Sequence, residues 1–346
     1  MKVSVIIPLY NKTGTIRRAL QSVAAQTYRN FELIVVDDGS TDGGADVVRS
    51  FDEMPVKLVT QDNRGPGQAR NRGAREADGA LLAFLDADDE WMPAYLAHAV
   101  AMLTAHPEAA AVSAGYIEYP RRRSRALFWR QRGVAEGLFS LNDRTPAMEA
   151  VHRLAYMSPW STVVRAEVFH RWGGFYARGR CLYAEDAYLW FKVLLNERVL
   201  FSLAPLVRFH REDSALSRNQ KGARPIEPFL KEPEDILAAA PEQLRGLARR
   251  MLGIRAAKTA CMYGFWGRWR EAAALMRRHF TLNALFTPYG VPALACSTPA
   301  AALIGGVARP CLRLGGRLMN LIENGIGARF TRGDYGDDRG SQPAAR

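Results

Sequence analysis

The fold of this chain is indicated first where an apolar strand runs into a group of acids, in the stretch Phe84-Leu85-Asp86-Ala87-Asp88-Asp89-Glu90-Trp91. Asp86 and Asp88 are two residues apart, so in an extended chain their side chains point the same way. Two such carboxylates, together with phosphate oxygens, suit Mg²⁺ or Mn²⁺. The alternative is a solvated turn or a cap of the next helix, a role that Asp89 and Glu90 also fit.

The segments before this stretch alternate between strand and helix patterns. Short apolar runs at 3–7, 31–36, 56–60 and 80–85 indicate buried strands, and helical patterns separate them at 14–26, 41–51 and 68–77. This order predicts an α/β fold with a Rossmann-like, mostly parallel sheet flanked by helices. Ligands of such sheets bind beyond the carboxyl ends of the strands. Polar motifs follow Ile7, Val36 and Leu85, so they predict one common site.

The rest of the chain divides into further elements and regions. We expect a strand at 110–119, a basic surface loop at 121–132, a short strand at 162–164, a helix opening at 184–186 and an extended segment at 200–210. Three prolines, Pro225, Pro228 and Pro233, favour a linker. The predicted organisation is a catalytic domain over 1–218, a linker over 219–233, a basic, mainly helical region over 234–332 and a disordered tail over 333–346.

The net charge of +12 lies in the C-terminal third. Residues 244–332 hold fourteen Lys and Arg against two acids, and the remainder is balanced. This charge accompanies an uncharged apolar stretch at 280–308, not an aromatic sheet face, so nucleic acid is not an expected partner. Pro288, Pro292 and Pro299 interrupt the stretch, which makes it a poor membrane-spanning helix. An interfacial element on an anionic membrane and a helical hairpin packed on the catalytic domain both remain open.

The cysteines and the N-terminus bear on the compartment. The four cysteines are far apart and form no CxxC pair, which predicts neither a zinc site nor a disulfide framework. The first apolar run follows a single lysine, contains Pro8 and lacks a small-residue cleavage site, so no signal peptide is predicted. We expect a cytoplasmic protein, with the cytoplasmic face of the membrane as a further option.

Five motifs give the chain a clear family resemblance. They occur in the order Val3-Ser4-Val5-Ile6-Ile7-Pro8-Leu9-Tyr10-Asn11, Val35-Val36-Asp37-Asp38-Gly39-Ser40-Thr41-Asp42, Gly67-Gln68-Ala69-Arg70-Asn71-Arg72-Gly73, Phe84-Leu85-Asp86-Ala87-Asp88-Asp89 and Ala184-Glu185-Asp186. In this set the chain resembles the family 2 glycosyltransferases, which have the GT-A fold and transfer sugars from nucleotide donors with inversion. The resemblance covers about residues 1–215.

The resemblance implies a role for most of these motifs in holding the donor. It places Pro8, Tyr10 and Asn11 at the nucleotide, with the tyrosine against the base, where an aromatic face stacks well. It implies that Asp38 accepts a hydrogen bond from a uracil-type N–H. A buried strand-end tyrosine and a capping aspartate are the structural alternatives.

Two further groups of residues are expected to contact the donor, namely the turn Asn63-Arg64-Gly65 and the acids Asp86, Asp88 and Asp89. Arg64 is expected at the base or the phosphates, whereas Arg70 fits a binding role and a structural ion pair equally well. Asp86 is expected near the ribose and diphosphate, and Asp88, Asp89 and His210 are the expected metal ligands. For His210 a structural role at a strand end is the alternative.

Glu185 and Asp186 resemble the pair of acids from which the family draws its catalytic base. The resemblance assigns Asp186 to this role, since a carboxylate within hydrogen-bond reach of an attacking sugar hydroxyl can take its proton. A cap of the following helix is the alternative for Asp186. The expected reaction is a single inverting displacement, with Mn²⁺ or Mg²⁺ on the leaving diphosphate.

The expected function is therefore transfer of a single sugar, and two other functions are less consistent with the sequence. The chain lacks the Q-x-x-R-W motif of the processive polysaccharide synthases, which favours one sugar per acceptor. The acceptor is expected to be a glycan or a lipid-linked molecule, in a pathway such as polysaccharide biosynthesis. A sugar nucleotidyltransferase would carry a glycine-rich loop where Pro8-Leu9-Tyr10-Asn11 stands, and a non-catalytic binding module would not need Asp86, Asp88 and Asp186 intact.

Overall fold

A computed structural model describes residues 1–214 and 223–299 of the chain. Within these residues ten strands form one sheet. The strands are β1 (Val3–Leu9), β2 (Phe31–Asp37), β3 (Lys57–Thr60), β4 (Leu81–Phe84), β5 (Glu90–Trp91), β6 (Ala109–Tyr119), β7 (Arg123–Ser124), β8 (Gly137–Phe139), β9 (Thr162–Arg165) and β10 (Arg198–His210).

The first four strands form the predicted parallel half of the sheet, in the order β3-β2-β1-β4. Pro8 of β1 lies beside Val36 of β2, so the loops after both strands leave from the same edge. Successive residues face opposite sides, as the two-residue period of a strand requires. Val5 and Ile7 lie in the core on one face of the sheet, and Ile6 lies in the core on the other face.

The second half of the sheet is mixed and continues in the order β9-β6-β10-β5. Strand β9 runs antiparallel to both β4 and β6, whereas β10 is parallel to β6. The two-residue strand β5 pairs with the far end of β10, which sets Trp91 beside Val207. This pairing brings the acidic stretch after β4 next to the end of β10.

Eight helices accompany the described strands up to residue 214. They are α1 (Ile16–Ala24), α2 (Gly44–Arg49), α3 (Pro66–Arg75), α4 (Tyr95–Ala105), α5 (Ala126–Arg130), α6 (Ala147–Tyr156), α7 (Ala166–Arg171) and α8 (Glu185–Asn196). The segment 121–132, expected to be a loop, instead holds strand β7 and helix α5. Its apolar pair Phe128-Trp129 explains the difference, because Trp129 is buried and packs edge-on against Tyr156.

The described C-terminal region is helical, as expected. Its helices are α9 (Pro228–Lys231), α10 (Pro233–Ala239), α11 (Arg245–Phe265), α12 (Trp269–His279), α13 (Leu282–Leu285) and α14 (Gly290–Cys296). Helix α9 lies in the expected linker, and its fully buried Phe229 contacts Phe191 of α8 with ring centroids 5.6 Å apart. Leu247 and Met251 of α11 share a core with Leu154 and Trp190.

Within the described ranges, no helix combines the length and the apolar character that crossing a membrane requires. The expected disordered tail at 333–346, and the end of the uncharged stretch from residue 300 onward, lie outside the described residues. The fold class predicted from the sequence is confirmed: an α/β sheet flanked by helices, followed by a helical C-terminal region.

Candidate active site

A cleft of about 760 Å³ opens at the carboxyl ends of the parallel strands. The loops after β1, β2 and β4 all contribute to it, as the strand order predicts. Of the residues expected from the sequence to form the site, those that line the cleft are Pro8, Tyr10, Asp38, Asp86, Asp88, Asp89, Glu185 and Asp186. Asn11, Arg64 and His210 do not line it.

Asp38 organises the loop that precedes helix α3. Its carboxylate accepts hydrogen bonds from the backbone N–H of Arg64 at 2.9 Å and of Gly65 at 2.8 Å, and from Gln61 Nε2 at 2.7 Å. These bonds fix the turn at the start of α3, where backbone N–H groups otherwise have no partner. Asp38 thus fixes the turn before α3 and also lies in the wall of the cleft, and the Arg64 side chain is exposed.

The loop after β1 contributes the ring of Tyr10 to the cleft and also carries Asn11, which hydrogen-bonds to the loop after β2. The ring of Tyr10 is 42% exposed in the cleft, and the Arg180 guanidinium lies 6.0 Å from its centroid. Asn11 has a φ of 50°, a conformation that asparagine tolerates better than most residues. Its side chain accepts a hydrogen bond from the Thr41 backbone at 2.9 Å, so it joins the loop after β1 to the loop after β2.

Asn63 is a cleft residue that the sequence analysis did not single out. Both polar atoms of its side-chain amide are buried and have no hydrogen-bond partner within the described protein. Buried polar groups are normally paired, so an unpaired amide in a ligand cleft indicates a group that a ligand satisfies. Its place in the Asn63-Arg64-Gly65 turn was visible in the sequence, but its orientation depends on the Asp38 hydrogen bonds.

Arg70 is the buried cation of the site. It donates to Asp86 with one terminal nitrogen and to Glu185, at 2.7 Å, with the other. Burial by itself lowers the pKa of Arg70, and the charges of Asp86 and Glu185 more than reverse this, so the arginine stays charged. Of the two roles left open for Arg70, the structure supports the ion pair, and that ion pair joins two of the motifs.

Gly67 allows helix α3 to come close enough for this contact. A Cβ atom at residue 67 would lie 2.4 Å from the backbone oxygen of Tyr176 and 3.1 Å from the side chain of Glu185. Any larger residue would force α3 away from the segment before α8. The glycine therefore lets Arg70, one turn further along α3, reach Glu185.

Asp86, Asp88 and Asp89 form the acidic cluster of the cleft, with one carboxylate oxygen of each within 4.8 Å of the others. Burial and the neighbouring Asp86 raise the pKa of Asp88, and Lys12 opposes this shift. The Lys12 ammonium lies 2.6 Å from Asp88 Oδ2. Lys12 was not among the expected site residues, although it directly follows Tyr10 and Asn11.

Asp89 and His210 meet through the backbone. Asp89 accepts a hydrogen bond at 2.8 Å from the His210 N–H, which holds the end of β10 against the acidic stretch. Burial, followed by the charges of Asp88 and Asp86, raises the pKa of Asp89 well above its usual range. The His210 ring contacts Glu90 at 2.6 Å and Glu212 at 3.1 Å, so both ring nitrogens already have partners.

The donor set fits a hard divalent cation. Three carboxylate oxygens on one side of an open cleft, with room for phosphate oxygens on the other, match the ligand preference of Mg²⁺ and Mn²⁺. Burial, followed by the repulsion from the neighbouring aspartates, raises the pKa of Asp88 and of Asp89, and a bound cation would relieve this repulsion. The His210 imidazole is not in this group; it lies with Glu212 and Asp213.

Asp186 lies in the first turn of helix α8 and lines the same cleft as the loops after β1 and β2. Burial and the adjacent Glu185 raise its pKa to about 7, and the positive charge of Arg70 limits the shift. A carboxylate with this pKa is deprotonated for part of the time near neutral pH and binds a proton strongly enough to accept one from a hydroxyl. These are the properties of a general base.

The fold and the cleft together define a class of protein: an α/β protein with the GT-A arrangement, in which acids at the end of one parallel strand face a second acid pair on a helix. A family model described as Glycosyl transferase family 2 matches residues 4–169, just under half of the chain. This match confirms the family resemblance that the five motifs predicted.

Known proteins similar to the chain agree with this assignment. The glucosyltransferase WfgD of Escherichia coli, named for UDP-Glc and α-D-GlcNAc-diphosphoundecaprenol, is 40% identical over 102 residues, which are 29% of this chain and 40% of WfgD. Across eight curated relatives the match spans 13 to 40% of the relative's length. The chain thus matches only a part of each of these proteins.

Two solved structures share the fold. S. aureus TarS in complex with UDP aligns with a TM-score of 0.57 and 19% identity, over 90% of this chain and 92% of that one. The mannosyltransferase PcManGT of Pyrobaculum calidifontis, in complex with GDP-Man and Mn²⁺, aligns with a TM-score of 0.51 and 21% identity, over 89% and 86% of the two chains. At these identities the likeness concerns the fold.

Proposed function

We propose that the chain transfers one sugar, with inversion, from a uridine diphosphate sugar to a hydroxyl of a glycan or lipid-linked acceptor. The observation that carries the proposal is the double contact of Arg70, which ties Asp86 of the acidic cluster to Glu185 beside Asp186 within one cleft. A diphosphate bound at the cluster and a base at Asp186 therefore face the same space. Such juxtaposition is what a displacement at an anomeric carbon needs.

The nucleotide end of the cleft suits a uridine. Tyr10 and Pro8 offer a face for the base, and the Asn63 amide offers both a donor and an acceptor toward its edge. The carboxylate of Asp38 holds the loop that carries Asn63. TarS has been solved with UDP and WfgD is named for UDP-Glc, which supports uridine as the base for this chain.

The diphosphate end of the cleft suits a cation-bound leaving group. Asp88 and Asp86 would hold Mn²⁺ or Mg²⁺, and a bound cation would supply charge stabilisation to the departing diphosphate. Lys12 contacts Asp88 at 2.6 Å and reaches the backbone oxygen of Asp213 at 2.8 Å, so its charge lies at the same place. PcManGT, solved with GDP-Man and Mn²⁺, supports the choice of metal.

Asp186 completes the reaction on the acceptor side. As the acceptor hydroxyl oxygen forms its bond to the anomeric carbon, its proton passes to the Asp186 carboxylate. The bond from the anomeric carbon to the diphosphate oxygen breaks, and its electron pair leaves with the nucleoside diphosphate. Since no enzyme atom bonds to the sugar, the configuration inverts. Glu185 stays paired with Arg70 and keeps negative charge near Asp186, which favours proton uptake.

The described C-terminal helices suit a peripheral contact with an anionic membrane, which is part of this proposal. Phe286 is 89% exposed, and Leu282 and Val291 are also exposed in the described part of the chain. Arg277 and Arg278 precede them at the end of α12. Apolar side chains flanked by arginines match the chemistry of an anionic lipid surface. Such a contact would place the protein at the cytoplasmic face, near a lipid-linked acceptor.

The proposal is tested with a panel of nucleotide sugars and Mn²⁺, read out first as thermal stabilisation of the protein. A donor that binds the native state at about 100 times its Kd adds about 2.7 kcal/mol of stability. We expect UDP-sugars to stabilise the wild type only with the metal, and Asp88→Asn to lose the effect. The exposed Asp62→Asn is the matched control and should retain it.

Three outcomes would overturn the proposal. If no nucleotide sugar stabilises the protein with Mn²⁺, the cleft is not a donor site. If a donor binds but no nucleoside diphosphate is released in the presence of any candidate glycan or lipid-linked acceptor, the chain is a non-catalytic binding module. Formation of a nucleotide sugar from a sugar phosphate and UTP would instead identify a nucleotidyltransferase.

A further inference from the structure

A second cavity, of about 240 Å³, lies beside the cleft, between the hairpin that contains β7, helix α6 and helix α11. Five residues line both spaces, namely Glu118, Ala155, Arg211, Arg255 and Lys258. The two spaces therefore lie side by side and share part of their wall. Neither the family match nor the motifs assign a role to the cavity.

The cavity is strongly basic. Its described lining holds seven Arg and Lys residues and one acid, Glu118. That acid is already engaged, because Arg211 donates to it at 3.1 Å and Arg125 lies 3.6 Å from its other oxygen. The excess positive charge comes from separate elements of the fold, so it is not a run of charge along one exposed helix face.

Two of the guanidinium groups, those of Arg125 and Arg132, pack on the ring of Phe128. Arg132 lies 3.5 Å and Arg125 3.9 Å from the centroid of Phe128. Arginines stacked on an aromatic face lose less freedom when they bind, and their planar donors match the oxygens of phosphates. The arrangement is thus organised for an oxyanion before one arrives.

Two buried N–H groups at the same place make no hydrogen bond within the described protein, namely the Nε–H groups of Arg125 and Arg255. Both arginines have an ion-pair partner, since Arg125 Nε lies 3.6 Å from Glu118 and Arg255 Nη2 donates to Glu227 at 3.0 Å, but neither contact gives Nε a hydrogen bond. A buried N–H without a partner carries a desolvation cost that an incoming acceptor removes. An anion with several oxygens satisfies such donors better than a neutral sugar hydroxyl does.

We propose that this cavity binds a phosphate or diphosphate group of the acceptor substrate. The inference rests on the proposed function, in which the donor diphosphate occupies the acidic cluster and leaves the basic cavity to the other substrate. An acceptor anchored there by its phosphate extends through the shared space of Arg255 and Lys258 toward the cleft that holds Asp186. The chain then selects acceptors that carry an anionic phosphate over neutral glycans.

The test measures binding of inorganic pyrophosphate to the full chain by calorimetry, in EDTA so that the acidic cluster holds no metal. Two variants, Arg132→Gln and Lys258→Gln, each remove one lining charge. Arg130→Gln at the end of α5 and Arg249→Gln on α11 each remove an exposed charge outside the cavity and serve as matched controls. Since Lys258 is exposed, its variant keeps the test valid if Arg132→Gln fails to fold.

We expect the affinity for pyrophosphate to fall at least about tenfold in both cavity variants, the loss of one charge-assisted bond, and to stay unchanged in the controls. UDP binding with Mn²⁺ should be unchanged in Arg132→Gln and in both controls, whose positions do not line the cleft, so the inference and the proposed function fail separately. Equal pyrophosphate affinity in all variants would overturn the inference. So would equal losses in the controls, which would indicate unspecific charge attraction.

A second measurement distinguishes an acceptor phosphate from a lipid headgroup. The same variants are sedimented with vesicles of phosphatidylglycerol and phosphatidylcholine. Under the inference, the cavity variants bind the vesicles as the wild type does. If they lose vesicle binding and keep their affinity for pyrophosphate, the cavity serves the membrane surface and the inference is wrong.

Discussion

Arg70 is a buried cation between two carboxylates, and only about 5% of its side chain is exposed. Burying an ion pair costs desolvation on both sides, and the pair offsets this only while both partners are present. Its loss would leave Asp86 and Glu185 close together and unpaired. Arg70 thus holds the donor side and the base side of the cleft in one arrangement.

Replacing Arg70 should therefore lower the stability of the whole protein. We expect Arg70→Met to reduce the free energy of unfolding by about 3–5 kcal/mol, as for removal of one partner of a buried pair. Arg72→Met, two residues on, loses only a half-exposed pair with Glu76 and should cost about 0.3–0.5 kcal/mol. Urea denaturation measures both values, and equal effects would show that the Arg70 contacts are incidental.

The raised pKa of Asp186 predicts how kcat/KM depends on pH. With its pKa raised to about 7, the base is protonated below that value, so kcat/KM should fall about tenfold per pH unit below about pH 7 and level off above it. The measurement is a pH profile of nucleoside diphosphate release at low donor concentration. A profile that stays flat down to pH 5 would exclude a base with this pKa.

The raised pKa of Asp186 also makes the stability of the folded protein depend on pH. Because the folded protein raises the pKa of Asp186, the ionised carboxylate destabilises the fold above pH 7, and this penalty disappears as the pH falls toward 4. Asp186→Asn should therefore be more stable than the wild type at pH 8 and no different near pH 4. Thermal unfolding at the two pH values checks this.

At the residue scale the sequence identified the acids but not the groups that set their charge. Asp86, Asp88 and Asp186 stand in short motifs, so spacing and resemblance were enough to predict them as residues of one site, and the structure places all three in one cleft. The partners of these acids come from far along the chain: Lys12 reaches Asp88, and Arg70 reaches Glu185, across 76 and 115 residues. The sequence did not reveal the partners of His210 either, since its ring contacts Glu90 and Glu212.

At the scale of elements, helix α3 packs against the sheet through a glycine. A Cβ at Gly73 would lie 2.4 Å from Ile6 Cγ2 and 3.3 Å from Val36 Cγ2, and both partners are buried in the core. The close approach positions Arg70, one turn earlier on the same face. The packing of this helix is thus linked to the geometry of the site.

We expect Gly73→Ala to destabilise the protein by about 1–3 kcal/mol through overpacking, despite a better helix propensity. Gly246→Ala is the matched control, because the nearest atom to a Cβ there is the flexible end of Arg250 at 3.6 Å. It should gain up to about 1 kcal/mol. Chemical denaturation of both variants tests this, and a stabilising Gly73→Ala would contradict the close packing of α3.

The first strands and helices followed from the sequence because each carries its own periodic pattern. The apolar runs of β1 and β2 and the glycines around α3 are local signals. The antiparallel insertion of β9 between β4 and β6 has no local signal, since Thr162-Val163-Val164 fits either direction equally well. Strand direction there depends on which neighbours are already in place, and that information is distributed over the whole sheet.

At the scale of the whole molecule, the helical region and the α/β part share one core. Phe229 of α9 is fully buried against Phe191, and α11 packs into the same cluster. The sequence suggested a linker at this position because of its prolines. Two of those three prolines, Pro228 and Pro233, occupy the first turns of α9 and α10.

A shared core predicts that both parts unfold together. Phe229→Ala should cost about 3–5 kcal/mol and lower the temperature of a single unfolding transition. Phe286→Ala, at an exposed position, should change the stability by less than about 0.5 kcal/mol. Calorimetry distinguishes the outcomes: two transitions, with the larger one unmoved by Phe229→Ala, would mean that the two parts fold independently.

The central claim is that Asp186 takes the proton in sugar transfer from a nucleotide donor held in the same cleft. The most direct test measures nucleoside diphosphate release by the wild type and by Asp186→Asn, with Mn²⁺, the donor found in the panel and an acceptor. The claim predicts that Asp186→Asn binds the donor with wild-type affinity and releases nucleoside diphosphate at least about a hundredfold more slowly. Release at the wild-type rate by Asp186→Asn would contradict it.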